Sequence, residues 1–196
     1  MNIRKIVTKT EREEKDRKMK IWLTVFIVVV MAASTAGFAV EFSSDSGESK
    51  KYNGIKFTLT EQGWQPKGYP IATSYLPQEV ENISSSGTFS YMDFNAKAYL
   101  ISAPYMQSEA LELLRYLPIN NLQQACLEEE ENVSYCSDLP LKGCEDASTD
   151  SGVIIFKESN ETSIEYGNYC LQIQGDSGNV LKAIDKALFI AYGIMD

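Results

Sequence analysis

The chain has no histidine. That absence excludes a Ser-His-Asp or Cys-His catalytic pair, a histidine-ligated zinc and a histidine general base. Basic residues are also scarce: 18 Lys and Arg face 27 Asp and Glu, a formal charge of −9 over 196 residues. An acidic balance argues against a nucleic-acid partner, whose affinity comes largely from basic side chains neutralising phosphates. No phosphate loop, dinucleotide fingerprint, haem-attachment sequence or nucleophile elbow occurs. No C-x-x-C pair is present, so a thiol redox centre and zinc knuckles both lack their spacing. There is no internal repeat, and no cofactor is implied.

What the chain does contain is arranged in zones. Residues 1–20 hold eight of the basic groups and four of the acids, a net of +4. Residues 21–40, IWLTVFIVVVMAASTAGFAV, hold no charge, and everything after them is −13. An uncharged apolar run of this length suits a helix through a bilayer of roughly 30 Å. Lys20 and Trp22 sit where a headgroup region favours them. The basic excess before the run predicts a cytoplasmic N-terminus and an extracytoplasmic remainder. The expected organisation is therefore a basic cytoplasmic tail over 1–20 and a transmembrane signal anchor from Ile21 to Val40 in contact with the lipid bilayer. A flexible Ser/Gly-rich linker over 41–51 and an extracytoplasmic α+β domain over 52–196 follow. Two alternatives use the same run: a signal peptide cleaved after Ala36 or Ala39, and a pilin-like leader cut before Ile21.

Within the outer domain, Ile55, Phe57 and Leu59 alternate with polar residues as in a half-buried strand. Residues 88–102 predict one long bulged strand or two. Ser108 followed by EALELLRYL predicts a capped helix with Leu111, Leu114 and Leu117 inward, stopped by Pro118. A second short helix is expected from Ile119 to Glu129. Val153 to Phe156 is a β-prone run. With Ile164, Tyr166, a Gly167-Asn168 turn, then Tyr169, Leu171 and Ile173, it predicts a three-stranded antiparallel meander. Asn179 to Tyr192 predicts a closing amphipathic helix. The expected fold class is α+β: a small antiparallel sheet packed with helices, preceded by one N-terminal transmembrane helix.

Cys126, Cys136, Cys144 and Cys170 all follow the apolar run. An even number confined to the expected outer side points to two disulfides, for which three pairings are open. The preferred pairing is Cys126–Cys136, closing a loop over an acidic turn, with Cys144–Cys170, pinning the loop before the sheet to a strand within it. Asn82, Asn132 and Asn160 each open an N-x-S/T glycosylation acceptor in an expected loop. Glu128 to Glu131 form a carboxylate run without the spacing of a calcium loop, read as a solvated segment. Trp64, Tyr69 and Tyr75, in a Pro/Gly-rich stretch, are the candidate contact surface for a protein or glycan partner outside the cell.

The segments SDLPLKGCEDA, GVIIFKESNETSIEYGNYCLQIQG and LKAIDKALFIAYGIM resemble the C-terminal part of uncharacterised archaeal proteins with one membrane span. The resemblance implies origin and topology, no activity and no site residues, and it leaves the first strands and helices unaccounted for. The expected function is a membrane-anchored, extracytoplasmic interaction or envelope-associated domain without catalysis. A membrane-tethered carboxylate- or metal-dependent hydrolase and a pilin-like structural subunit are the alternatives.

Overall fold

The structure, a computed structural model, describes residues 17–31, 48–130 and 133–196. The chain divides into two units, Met1–Gly47 and Glu48–Asp196.

In the first unit, residues 17–31 form a helix (α1) whose apolar side chains, Ile21, Trp22, Phe26 and Val29 among them, are exposed. The expected transmembrane helix needs correction. Among the described residues no helix is long and apolar enough to cross a membrane. The described part of α1 starts among Arg17, Lys18 and Lys20 and ends at Met31. Residues 32–40 of the expected span, with Ala36 and Ala39, and the tail over 1–16 lie outside the described residues.

The second unit contains two sheets. The smaller joins β1 (Ser49–Tyr52), β2 (Ile55–Thr60) and β3 (Gly63–Pro66), all antiparallel. Its first turn is Asn53-Gly54, both at positive φ (46° and 82°), the backbone of a type I′ hairpin. The end of the expected linker is therefore strand β1.

The larger sheet corrects the expected antiparallel one. It has six strands in the order β4-β8-β9-β7-β5-β6 and is mixed. β5 (Lys97–Ile101), β6 (Asn121–Ala125), β7 (Ser151–Glu158) and β9 (Cys170–Gly175) run parallel as neighbours. β8 (Ser163–Gly167) is antiparallel to β9, and β4 (Ser84–Ser86) runs parallel to β8 at the edge. The β8–β9 hairpin exists, with Asn168 and Tyr169 at φ of 50° and 62° as its central residues. The meander fails because β9 inserts between β7 and β8 and pairs with β7 in parallel. The four residues between β7 and β8 step over the end of β9, where Ser159 N–H donates to the Gly175 carbonyl at 3.2 Å.

Helices α2 (Pro77–Val80), α3 (Gln107–Leu114) and α4 (Val180–Ala191) complete the unit. The main core lies between the helices and the larger sheet. Ala98 and Leu100 of β5, Ile154 and Phe156 of β7, and Leu171 and Ile173 of β9 meet Ile184, Leu188 and Phe189 of α4 there. Period-2 alternation turns Ile101, Val153, Ile155 and Cys170 to the opposite face, where Ala125 and Ala147 complete a second core. The run Val153–Phe156 is apolar at every position because both faces of its strand are covered.

Two helix expectations also change. α3 turns Ala110 and Leu113 inward and leaves Leu111 exposed, and its N-terminus has no side-chain cap. The expected helix from Ile119 to Glu129 is strand β6, whose backbone is claimed by β5.

Candidate functional site

The parallel strands β5 and β6 end level with Ile155 of β7, and the chain that follows them builds a groove with the last three residues of β7. Crevices outside the carboxyl ends of parallel strands are where open α/β sheets hold ligands. After β5 the chain turns through Pro104–Met106, which projects Tyr105. After β6 it passes Leu127 into the turn Glu128–Glu130. β7 contributes Lys157 and Glu158. One cleft of about 270 Å³ lies among Tyr105, Glu129, Glu130, Lys157 and Glu158, floored by Met106 and Phe156. A second of about 290 Å³ continues onto the opposite face beside Lys142, Glu145 and Gln172. Leu127, Glu129 and Lys157 line both, so they are two halves of one groove.

The first half is built from aromatics and carboxylates. Tyr105 is 62% exposed and its hydroxyl donates to Glu158 Oε2 at 2.8 Å. Tyr135 is 36% exposed, with its hydroxyl 3.4 Å from Glu130 Oε1 as donor. The hydrogen bond to Glu158 raises the Tyr105 pKa above 10.0, helped by desolvation and by the charges of Glu158 and Glu130. Desolvation, then the charge of Glu130, raises Tyr135. Both phenols therefore stay neutral and orient a carboxylate. In the second half, Lys142 Nζ bonds Asp146 Oδ1 at 2.9 Å. Asp146 lies below its ordinary value because it accepts from the Gly143 N–H and from Lys142. Chemically the first half suits a cation: the carboxylates of Glu129, Glu130 and Glu158 and the ring of Tyr105 line it with one lysine, Lys157.

A metal centre is the other chemistry this corner suggests. The sulfurs of Cys126 and Cys136 and a Glu130 carboxylate oxygen lie within 4.8 Å of one another. Both sulfurs are bonded to each other, however, so no thiolate is offered.

The cysteines pair as Cys126–Cys136 and Cys144–Cys170, with Cα separations of 5.9 and 5.2 Å. The first closes the loop carrying Glu128–Glu130 and Tyr135. The second ties the loop segment to β9 and sits beside the groove, where Gln172 Nε2 is 3.2 Å from Cys144 Sγ. Asn82 and Asn160 are exposed, in the turn after α2 and the turn between β7 and β8. Asn132, like Glu131, lies outside the described residues.

Trp64, Tyr69 and Tyr75 are not a projecting patch. Each is half-buried and packs against the main core. Trp64 exchanges backbone hydrogen bonds with Thr73, and Lys182 Nζ stands 5.4 Å from the centre of the Tyr75 ring. A third, open groove of about 480 Å³ runs beside Tyr91 and Tyr192, whose rings stack at 4.6 Å. Its polar groups are committed internally: the Tyr192 hydroxyl donates to the Tyr116 carbonyl, and Asp93 accepts from Tyr166 and Ser90.

Sequence reasoning missed Tyr105, Glu129, Glu130, Lys157 and Glu158 as a group. The signal was a strand, a helix and a second strand in succession, which makes a parallel pair with aligned carboxyl ends. Reading β6 as helix concealed it. No family model, no curated protein and no solved structure matches the chain.

Proposed function

We propose that the unit Glu48–Asp196 is a binding domain working outside the reducing cytoplasm. In this reading it captures a basic segment of a protein partner in the groove at the carboxyl ends of β5, β6 and β7. The observation that carries the reading is exposed Tyr105, bonded to Glu158, in one cleft with Glu129 and Glu130, the last of which also accepts from Tyr135. Exposed tyrosines supply contact area at low entropic cost, and a lysine or arginine beside the Tyr105 ring and several carboxylates gains from both. The two disulfides support the compartment, since such bonds persist where thiols are oxidised. The charge of −13 after residue 40 supports the sign of the partner by steering cations toward the unit.

Calorimetric titration of the full chain with a lysine- and arginine-rich peptide tests the reading. Binding should weaken as salt rises, because exposed charge pairs are screened. Tyr105→Ala should cost about tenfold in affinity or more, the range of an aromatic contact residue. Glu129→Gln combined with Glu130→Gln should flatten the salt dependence. Equal affinity for a neutral oligosaccharide, or an unchanged affinity for the Tyr105 variant, would sink the proposal.

A further inference from the structure

Strand β6 is an edge of the six-stranded sheet, and its backbone is open on the outer side. Asn121 N–H donates to the Ala96 carbonyl on the β5 side at 3.2 Å. Parallel pairing alternates inward and outward groups, so Leu122 and Gln124 turn their N–H and C=O groups away from β5. At the next outward position the chain closes the edge itself. Cys126 N–H donates to the Pro140 carbonyl at 3.0 Å, and Lys142 N–H donates to the Cys126 carbonyl at 2.8 Å. The open part is thus confined to the N-terminal half of the strand.

Exposed edges are ordinarily guarded by charge, proline, short length or a covering segment. Among the described residues the other edges carry such guards. β1 has Lys50 and Lys51, β3 ends in Pro66 and is bridged by Thr73, and β4 is three residues long. β6 reads NLQQA, with four exposed positions and no charge. Leu122 is 42% exposed.

We infer that β6 pairs with β6 of a second copy of this chain, antiparallel about a two-fold axis at Leu122. The chemistry of the edge selects a copy of itself. At −13 after residue 40, two copies repel over most of their surface, and β6 is a stretch where they meet without charge. The axis at Leu122 lets its N–H and C=O bond reciprocally to Leu122 of the second copy and places the two leucine side chains together. Asn121 of each copy then lies opposite Gln123 of the other, amide against amide. An axis nearer Gln124 would drive the second strand into Pro140 and Leu141. The two sheets become one continuous sheet across the dimer, as closed two-fold symmetry allows.

Sedimentation equilibrium of the full chain, in a mild detergent that shields the apolar residues of α1, tests this. The native chain should dimerise with rising concentration. Leu122→Lys, a change at an exposed position, should raise the dimer dissociation constant about tenfold or more by placing two ammonium groups face to face. Leu122→Cys should cross-link to itself under mild oxidation, because facing Cα atoms at about 5.5 Å suit a disulfide. Lys50→Cys, on a guarded edge, should not. A native chain that stays monomeric overturns the inference. So does a dimer indifferent to Leu122→Lys whose Leu122→Cys form cross-links no faster than Lys50→Cys. A monomer whose Leu122→Cys form cross-links to other proteins of its native extract would assign the edge to a foreign strand and refute self-pairing.

Discussion

Asp185 and Lys186 are adjacent charged residues on α4, and both are buried. The amphipathic spacing of that helix identifies its apolar stripe but not these two, because pattern arguments assign charges to water. They are buried because the segment from Ser74 to Ile83 crosses the helix and offers backbone partners. Lys186 Nζ donates to the carbonyls of Glu81 and Ile83, at 3.1 and 2.6 Å. Asp185 Oδ2 accepts from the Tyr75 N–H at 2.8 Å. Desolvation outweighs that bond, and the nearby charges of Glu112 and Glu79 add to it, so the Asp185 pKa rises from 3.8 to about 7. The folded state then holds a proton that the unfolded chain has released, so this residue makes stability fall as pH rises between those values. Full expression of the shift would be worth on the order of 4 kcal/mol. Asp185→Asn keeps an acceptor for Tyr75 without a charge to bury. Thermal melts should show the variant close to the native chain at pH 4 and more stable than it at pH 8. A native stability that rises across that window, or a variant less stable at pH 8, would contradict the assignment.

Legibility differs sharply between elements. α4 declares itself through Val180, Ala183, Ile184, Ala187 and Leu188, all buried as the spacing requires. β7 is visible as the run Val153–Phe156, and the continuity of that run is itself the mark of a parallel strand covered on both faces. β6 is invisible because Asn121-Leu122-Gln123-Gln124 has neither β-branched residues nor an alternating apolar face; only pairing with β5 makes it a strand. Asn53-Gly54 is a hairpin signal, but the polar composition before it masks strand β1. The groove inherits the difficulty of β6, since its residues meet only once three carboxyl ends are aligned. The disulfides divide similarly. Cys126–Cys136 spans 10 positions within the loop, whereas Cys144–Cys170 spans 26 and joins loop to sheet. Chain-entropy arithmetic gives losses of about 3 and about 3.5 kcal/mol on removing them. Cys144→Ser with Cys170→Ser should therefore be the less stable double variant in denaturant titration. The gap should exceed the entropic one, because that bond also holds the second core shut. The reverse ranking would mean that the loop staple, not the loop-to-sheet tie, secures the fold.

At the scale of the unit Glu48–Asp196, the larger sheet is covered by unlike layers. The helical side gathers twenty-seven buried residues into one cluster, while the other side gathers six, beneath a layer of loop. Burial of apolar area scales with such numbers, so the helical side stands on hydrophobic packing, and the loop side needs covalent help. The groove lies at the strand ends: its first half rests on Met106 and Phe156 of the large core, and its second half lies on the loop side beside Ile155 of the small one. Reduction should therefore act unequally. Hydrogen exchange of the full chain, followed by mass spectrometry with and without dithiothreitol, should show residues 133–150 losing protection while α4, β7 and β9 retain theirs. Binding of a basic peptide should fail with that loss, because Tyr135 and the turn Glu128–Glu130 are positioned by the Cys126–Cys136 closure. Uniform loss of protection through α4 would mean that the two layers fold as one cooperative body. Unchanged protection over 133–150 would mean that the six-residue core holds the loop without its disulfides.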